Sequence, residues 1–257
     1  MALERQNLEG KVAIVTGGGR GVGRGIARVL SEAGARVVLT ARTVSQLDAS
    51  VAYIQERGGQ ALGIPGDATK LEDAQRTVEA TLERFGRIDI MINNVGGAHP
   101  AASFLELTAE NFIDDLQLNV VSTFQFIKLT APHMRKVGGG SVVNISSRAS
   151  GGLGTLGLTP YAVTKAGLEQ LTRMASRALA PDIRVNAISL GTIEATWMDQ
   201  SVMSDEVRDK LMAQVPLRRA GDAEDIGLAA LYLCSDRCYA SGSVLNIDGG
   251  LYQPLAR

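Results

Sequence analysis

Short runs of consecutive apolar or β-branched residues alternate along this chain with longer segments of helical period. Residues 12–16 read as a buried strand, with charge and glycine on either side, and 37–40, 61–65, 88–93, 142–146, 184–188 and 244–247 repeat the pattern. Strands that are apolar at successive positions predict a parallel sheet covered on both faces. The helical period predicts helices over 22–33, 44–57, 71–85, 109–136, 161–179 and 223–234. Strand and helix in strict alternation predict an α/β fold: one doubly wound, Rossmann-type domain over residues 1–257. Its seven parallel strands carry helices on both faces and bind ligands at their carboxyl ends. Gly138, Gly139 and Gly140 read as a helix stop before the next strand. Residues 191–212 are the least regular stretch. They mix Met, Trp and acidic residues after a strand, and read as a lid over a site or as an ordinary helical insertion.

Composition narrows the partners. The 257 residues are 45% hydrophobic and 21% charged, with a net charge of -1. Nothing in that balance points to a nucleic acid or an anionic membrane. Residues 1–7 carry no apolar signal core, and no apolar run approaches the roughly 20 residues that span a bilayer. The expectation is a soluble, cytoplasmic protein. Cys234 and Cys238, four apart on a predicted helix, suit one core thiol and one partly exposed thiol better than a redox pair. His99 and His133 are far apart, no cluster has metal-ligand spacing, and no metal is expected.

Chemistry enters with a glycine-rich loop, Thr16-Gly17-Gly18-Gly19-Arg20-Gly21-Val22-Gly23, between the first strand and the first helix. That position gives the motif its weight. Gly17 permits a tight turn. Gly21, Val22 and Gly23 bring backbone and helix N-terminus up to a pyrophosphate. About 20 residues on, such folds read the adenosine ribose, with an acid for a free 2′-hydroxyl or an arginine for a 2′-phosphate. The second strand ends Leu39-Thr40-Ala41-Arg42, without an acid. Arg42, with Arg20 in the loop, predicts NADP(H), and NAD(H) is the alternative. Asp67, beside Ala68, is placed to accept from the adenine amino group or to cap the next helix. Asn93 and Asn94 close the fourth strand, where their amides either stitch strands or line the cofactor, and Gly96 permits close backbone approach.

The second signal is Tyr161-Ala-Val-Thr-Lys165, which puts a phenol and an ammonium on one helix face. A nearby cation favours the phenolate and helps a tyrosine exchange protons near neutrality. With a bound nicotinamide, that suggests hydride chemistry at a carbonyl or alcohol carbon.

The glycine loop, Asn93-Asn94-Val95-Gly96, Asn119, Ser147, Tyr161 with Lys165, and Asp248-Gly249-Gly250 together resemble the short-chain dehydrogenase/reductase family, over about residues 8–251. The resemblance implies roles. Tyr161 is the general acid in reduction and the general base in oxidation. Lys165 lowers its pKa and holds the nicotinamide ribose, and Ser147 binds the substrate oxygen. Asn119 anchors a water of a proton relay, Asn94 and Gly96 contact the ribose, and the backbone of Ile193 meets the carboxamide. It also implies a homotetramer built on the two long helices.

The sequence departs from the family at three points. The interval from Ser147 to Tyr161 is one residue longer, with Ser146 the second candidate for the serine role. Leu190-Gly191 replaces Pro-Gly, and Ala195-Thr196 shifts a threonine by one. The pocket walls are expected from 97–100, 148–158 and 190–203, including Leu153, Leu156, Leu158, Trp197, Met198 and Met203. That lining suits an apolar ketone or secondary alcohol, 3-oxoacyl or hydroxysteroid-like. Arg218 and Arg219 are candidates for an acyl-carrier patch, or else surface charges or subunit contacts. The rival readings are a catalytically silent nucleotide sensor, and a dehydratase or epimerase on the same fold.

Overall fold

A computed structural model describes residues 7–100, 103–151, 156–194 and 205–251. Its strands are β1 (Val12–Thr16), β2 (Arg36–Ala41), β3 (Ala61–Pro65), β4 (Ile90–Asn93), β5 (Gly140–Ser147), β6 (Ile183–Leu190) and β7 (Val244–Ile247). They form one seven-stranded sheet in the order β3-β2-β1-β4-β5-β6-β7. Every pairing is parallel, for example Val15 against Leu39 on one side and Ile92 on the other. Each predicted strand is present, with ends moved by up to two residues. The helices are α1 (Gly21–Glu32), α2 (Val44–Gln55), α3 (Leu71–Phe85), α4 (Ala109–Leu116), α5 (Ser122–Lys136), α6 (Thr159–Leu179), α7 (Asp205–Gln214) and α8 (Ala223–Cys234).

The pleat of β1 divides the core. Ala13 and Val15 face a cluster with Ile26 and Leu30 of α1, Leu47 of α2 and Ile226 of α8. Val12 and Ile14 face the opposite cluster, with Val78 of α3 and Phe126 and Met134 of α5. Because both faces are covered, all five β1 residues are buried, which is why the strand reads as a continuous apolar run. Burying a ring such as Phe126 stabilises the fold by about 2 kcal/mol. Local signals end the helices where their chemistry requires. Gly86 closes α3 in the left-handed region at φ 74°. Thr108 with Asn111, and Asp222 with Asp225, form reciprocal caps at the starts of α4 and α8. On one face, α1 and α8 touch through Gly25, where an added Cβ would come within 2.7 Å of the Ala223 carbonyl oxygen.

Two expectations are corrected. The helix expected over 109–136 is interrupted by a π turn at Gln117–Val121, which holds Asn119. Cys238 lies beyond the end of α8, and both thiols are buried, so neither is the partly exposed one. Burial pushes the Cys234 thiol up to about 12. Ten residues of the stretch read as a lid, 195–204, lie outside the described residues, among them Trp197, Met198 and Met203, and so does Leu153. The described part of that stretch ends in α7. Among the described residues no helix is long and apolar enough to cross a membrane.

Candidate active site

The sheet order reverses between β1 and β4, so the carboxyl ends of these strands open a crevice. The glycine loop lies at its edge. Gly17 adopts φ 65°, and a Cβ there would stand 2.7 Å from Asn94 Nδ2. Gly23 packs on the loop so closely that a Cβ would meet the Gly17 carbonyl. Ser50 of α2 pins the loop by donating to the Gly19 carbonyl at 3.0 Å. No side chain caps the N-terminus of α1, so its first amides lack a side-chain acceptor at the edge of the crevice. An anion such as a pyrophosphate is the group such amides recruit. The donor set and the space that only glycine leaves therefore fit a dinucleotide.

Arg20 and Arg42 are exposed at this edge. Arg42 lies near enough to Asp67 to act on its charge. Burial raises the Asp67 carboxyl, but the backbone and hydroxyl of Thr69 outweigh it, helped by Arg42 and Lys70, and hold it below its ordinary value. Asp67 Oδ1 accepts from the Thr69 backbone at 2.9 Å and from its hydroxyl at 2.8 Å, a turn that leads into α3. Ala68 is buried beneath it. Asn94 stitches the crevice shut at its base. It donates from Nδ2 to the Thr16 carbonyl at 2.9 Å, and from its backbone to the Thr16 hydroxyl at 2.9 Å. Through these bonds Asn94 stitches the end of β4 to β1.

The second half of the site hangs on α6. Tyr161, Lys165, Leu168, Thr172 and Ser176 follow one helical stripe against the sheet, and all but half-buried Tyr161 are buried. Pro160 starts this helix, where its missing N–H costs nothing. A chain of amides fixes the stripe. Asn93 donates to Asn144 at 2.8 Å, and Asn144 donates to the Thr172 hydroxyl at 2.9 Å. Lys165 Nζ donates to the Ile145 carbonyl of β5 at 2.8 Å and lies 5.5 Å from the Tyr161 ring centre. Ser147 ends β5 and hydrogen-bonds Tyr161. Gly96 explains its own identity, since a Cβ there would stand 2.8 Å from Asn119 Oδ1 and 2.9 Å from Lys165 Nζ.

The sequence-predicted residues thus converge, with three differences in how they are used. The family resemblance gives Lys165 the task of lowering the pKa of Tyr161, and in the folded chain that task is set against burial. Burial raises the Tyr161 hydroxyl above its ordinary value, with the Ser147 hydrogen bond pulling against it and the charge of Asp115 adding to it. The ammonium is committed to Ile145 and is itself brought down to about 8 by burial, opposed by Asp115 and then Glu169. Ser146 is no rival for the substrate serine, because it is buried and its hydroxyl donates to Glu169 Oε1 at 2.9 Å. Arg219 does not offer a free positive charge, since it pairs with Asp225 at 2.7 Å. Asn119 makes three hydrogen bonds with its side chain, donating to the carbonyls of Gly97 and Asp115 at 2.8 Å each and accepting from the Gly97 backbone at 3.1 Å. Ile193 is buried and bridges Gly221 in parallel.

Sequence reasoning missed two groups. Glu169 gathers Ser146 and Ser150, and its place one turn after Lys165 on the α6 stripe could have revealed it. Asp115 is buried on α4 and bound by His99, and no local pattern signals it.

Comparison with known proteins agrees with this geometry. The family model described as enoyl-(acyl carrier protein) reductase matches residues 17–252. An uncharacterized oxidoreductase of Mycobacterium tuberculosis is 38% identical, over 99% of this chain and 97% of its own length. The 7alpha-hydroxysteroid dehydrogenase of Escherichia coli K12 is 36% identical, over 96% of each chain. A solved 7 alpha-hydroxysteroid dehydrogenase, in complex with NADH and 7-oxo glycochenodeoxycholic acid, superposes with a TM-score of 0.90 at 35% identity, over 98% of each chain.

Proposed function

Because the chain belongs to the short-chain dehydrogenase/reductase family, oxidoreductases that act on CH–OH groups with a nicotinamide cofactor, we propose that it is an NADP(H)-dependent ketone reductase or alcohol dehydrogenase for a largely apolar substrate. When bound, the dinucleotide supplies or takes the hydride. Gly17, Gly21, Val22 and Gly23 hold its pyrophosphate, Arg20 and Arg42 its 2′-phosphate, and Asp67 with Ala68 its adenine. Asn94, Gly96 and Lys165 hold the nicotinamide ribose, and the Ile193 backbone holds the carboxamide. Ser147 hydrogen-bonds the substrate oxygen. Tyr161 gives that oxygen a proton in reduction and removes it in oxidation. Asn119 braces the loop that carries Gly97 and anchors the relay beyond Lys165.

The observation that carries this reading is the Ser147–Tyr161–Lys165 group at the carboxyl end of β5, facing the Gly96 position of the crevice. A developing alkoxide there meets both a hydrogen-bond donor and a proton source. The raised Tyr161 hydroxyl is protonated at neutral pH, which favours reduction there; alcohol oxidation gains as pH rises. The apolar residues that the sequence offers for the pocket walls and the 7α-hydroxysteroid relatives support this substrate class. A 7-oxo steroid and a 3-oxoacyl ester are the first two ketones to test.

Cofactor choice has its own test. NADH, present in the hydroxysteroid dehydrogenase complex, is the competitor. Replacing Arg42 with Ala removes a charge-assisted contact to the 2′-phosphate, a loss of about 1.5–3 kcal/mol. The KM for NADPH is expected to rise about tenfold or more, while that for NADH stays put. Initial rates measured side by side check this, and a wild-type preference for NADH would end the NADP assignment without touching the fold.

Apolar side chains stay exposed on the two long helical segments: Ile113, Leu116 and Phe124 on α4 and α5, Val163 and Met174 on α6. Exposed apolar faces of that kind mark subunit contacts, and we expect a homotetramer. Light scattering that returns a monomer would refute it.

A further inference from the structure

Asp115 and His99 form a pair that the reaction above leaves unused. Asp115 stands on the last turn of α4, and none of its surface reaches solvent. Its Oδ1 accepts from the His99 backbone at 3.1 Å and lies 2.7 Å from the His99 ring Nδ1. Its Oδ2 is buried without a hydrogen-bond partner. Its main-chain carbonyl accepts from Asn119 Nδ2 at 2.8 Å, which ties it to the π turn. His99, in the loop after β4, keeps 48% of its side chain exposed, so the pair runs from solvent to the interior of the site.

A buried carboxylate with one bare oxygen is costly unless charge elsewhere compensates it. His99 from the β4 loop touches Asp115 directly, and Asn119, bound to the Asp115 carbonyl, stands with Lys165 Nζ about the same Gly96 position, 2.8 and 2.9 Å from the point a Cβ would take; the charge of Asp115 acts on both Lys165 and Tyr161 of α6. Lys165 also feels Glu169, from its own helix. We propose that Asp115, clamped by His99, is a positioning residue whose buried negative charge keeps the Lys165 ammonium and the Tyr161 hydroxyl protonated, and so loads the site for reduction. The inference rests on Tyr161 being the proton donor of the proposed reaction. It adds an acid that touches neither substrate nor cofactor and acts only through its field. The opposing possibility is a mechanical pin that fastens the His99 loop to α4.

Charge and pin separate in two substitutions. Asp115→Asn keeps an acceptor for both His99 contacts and removes the charge. Asp115→Ala removes both. The readout is the pH profile of kcat/KM for ketone reduction, with NADPH binding by fluorescence as the check on folding. The direction follows from the sign of the field. Loss of a negative charge lets both Lys165 and Tyr161 release protons more readily, so the alkaline limb moves to lower pH, by about one unit. The same displacement is expected in both variants. An unmoved limb in NADPH-binding Asp115→Asn, or a displacement confined to Asp115→Ala, would overturn the charge role and leave a pin. Tyr161→Phe is run in parallel. If that variant turns over like the wild type, the proton-donor reading itself fails. If it is inactive while Asp115→Asn is unmoved, only the role of Asp115 fails.

Discussion

Tyr161→Phe is expected to bind NADPH as the wild type does and to reduce ketones about a thousandfold more slowly. The variant keeps the ring, half-buried at the start of α6, and removes only the hydroxyl that hydrogen-bonds Ser147. Losing that one neutral contact costs about 1 kcal/mol of stability, small beside the kinetic loss. The glycine loop lies on the other side of the crevice and does not depend on the phenol. Cofactor binding and turnover therefore separate, which a general disruption would not allow. Binding is read by fluorescence quenching and turnover by loss of NADPH absorbance under single-turnover conditions. A variant that binds and turns over normally would remove Tyr161 from the chemistry. A wild type that binds NADPH tightly and reduces no ketone would instead favour the sensor reading, and product formed without net cofactor oxidation would favour a dehydratase or epimerase.

Much of this site was legible because its residues follow local patterns. The strands of a doubly covered sheet must be apolar on both faces, and β1 states that in five letters. Tyr161 and Lys165 stand one helical turn apart, and the stripe they begin runs on through Leu168 and Thr172. Gly17 and Gly23 are required by close backbone approach, a need that a glycine at a strand–helix junction announces. What the sequence hid depends on contacts between distant segments. Asp115 and His99 are sixteen residues apart and meet across a loop. The π turn at Gln117–Val121 has no period of its own. The net direction of the Tyr161 shift is hidden from the sequence for the same reason. Spacing placed a cation near the phenol, but the degree of burial, and the commitment of that cation to the Ile145 carbonyl, exist only in the folded chain.

Lys165→Met is expected to abolish useful turnover and to flatten the stability of the protein against pH in one defined window. Burial brings the ammonium from its ordinary 10.5 down to about 8, with Asp115 and then Glu169 resisting. Between those two values the unfolded chain holds a proton at this position that the folded chain has released. Stability therefore rises with pH across the window, and the cost of burying the charge is fully present below it. Integrated over the window, the rise is on the order of 3 kcal/mol. Methionine cannot titrate, so the variant lacks this rise whatever its absolute stability. The comparison of two slopes also cancels the other tyrosines and lysines that titrate in the same range. Urea unfolding of both proteins at several pH values between 8 and 10.5 provides the measurement. Equal slopes would mean that Lys165 keeps its ordinary affinity for protons and is not a buried cation. The activity loss, expected at about a hundredfold or more, follows from removing the ammonium beside Tyr161. A residue whose charged form costs folding energy, yet without which the reaction stops, is retained for what that charge does in the site.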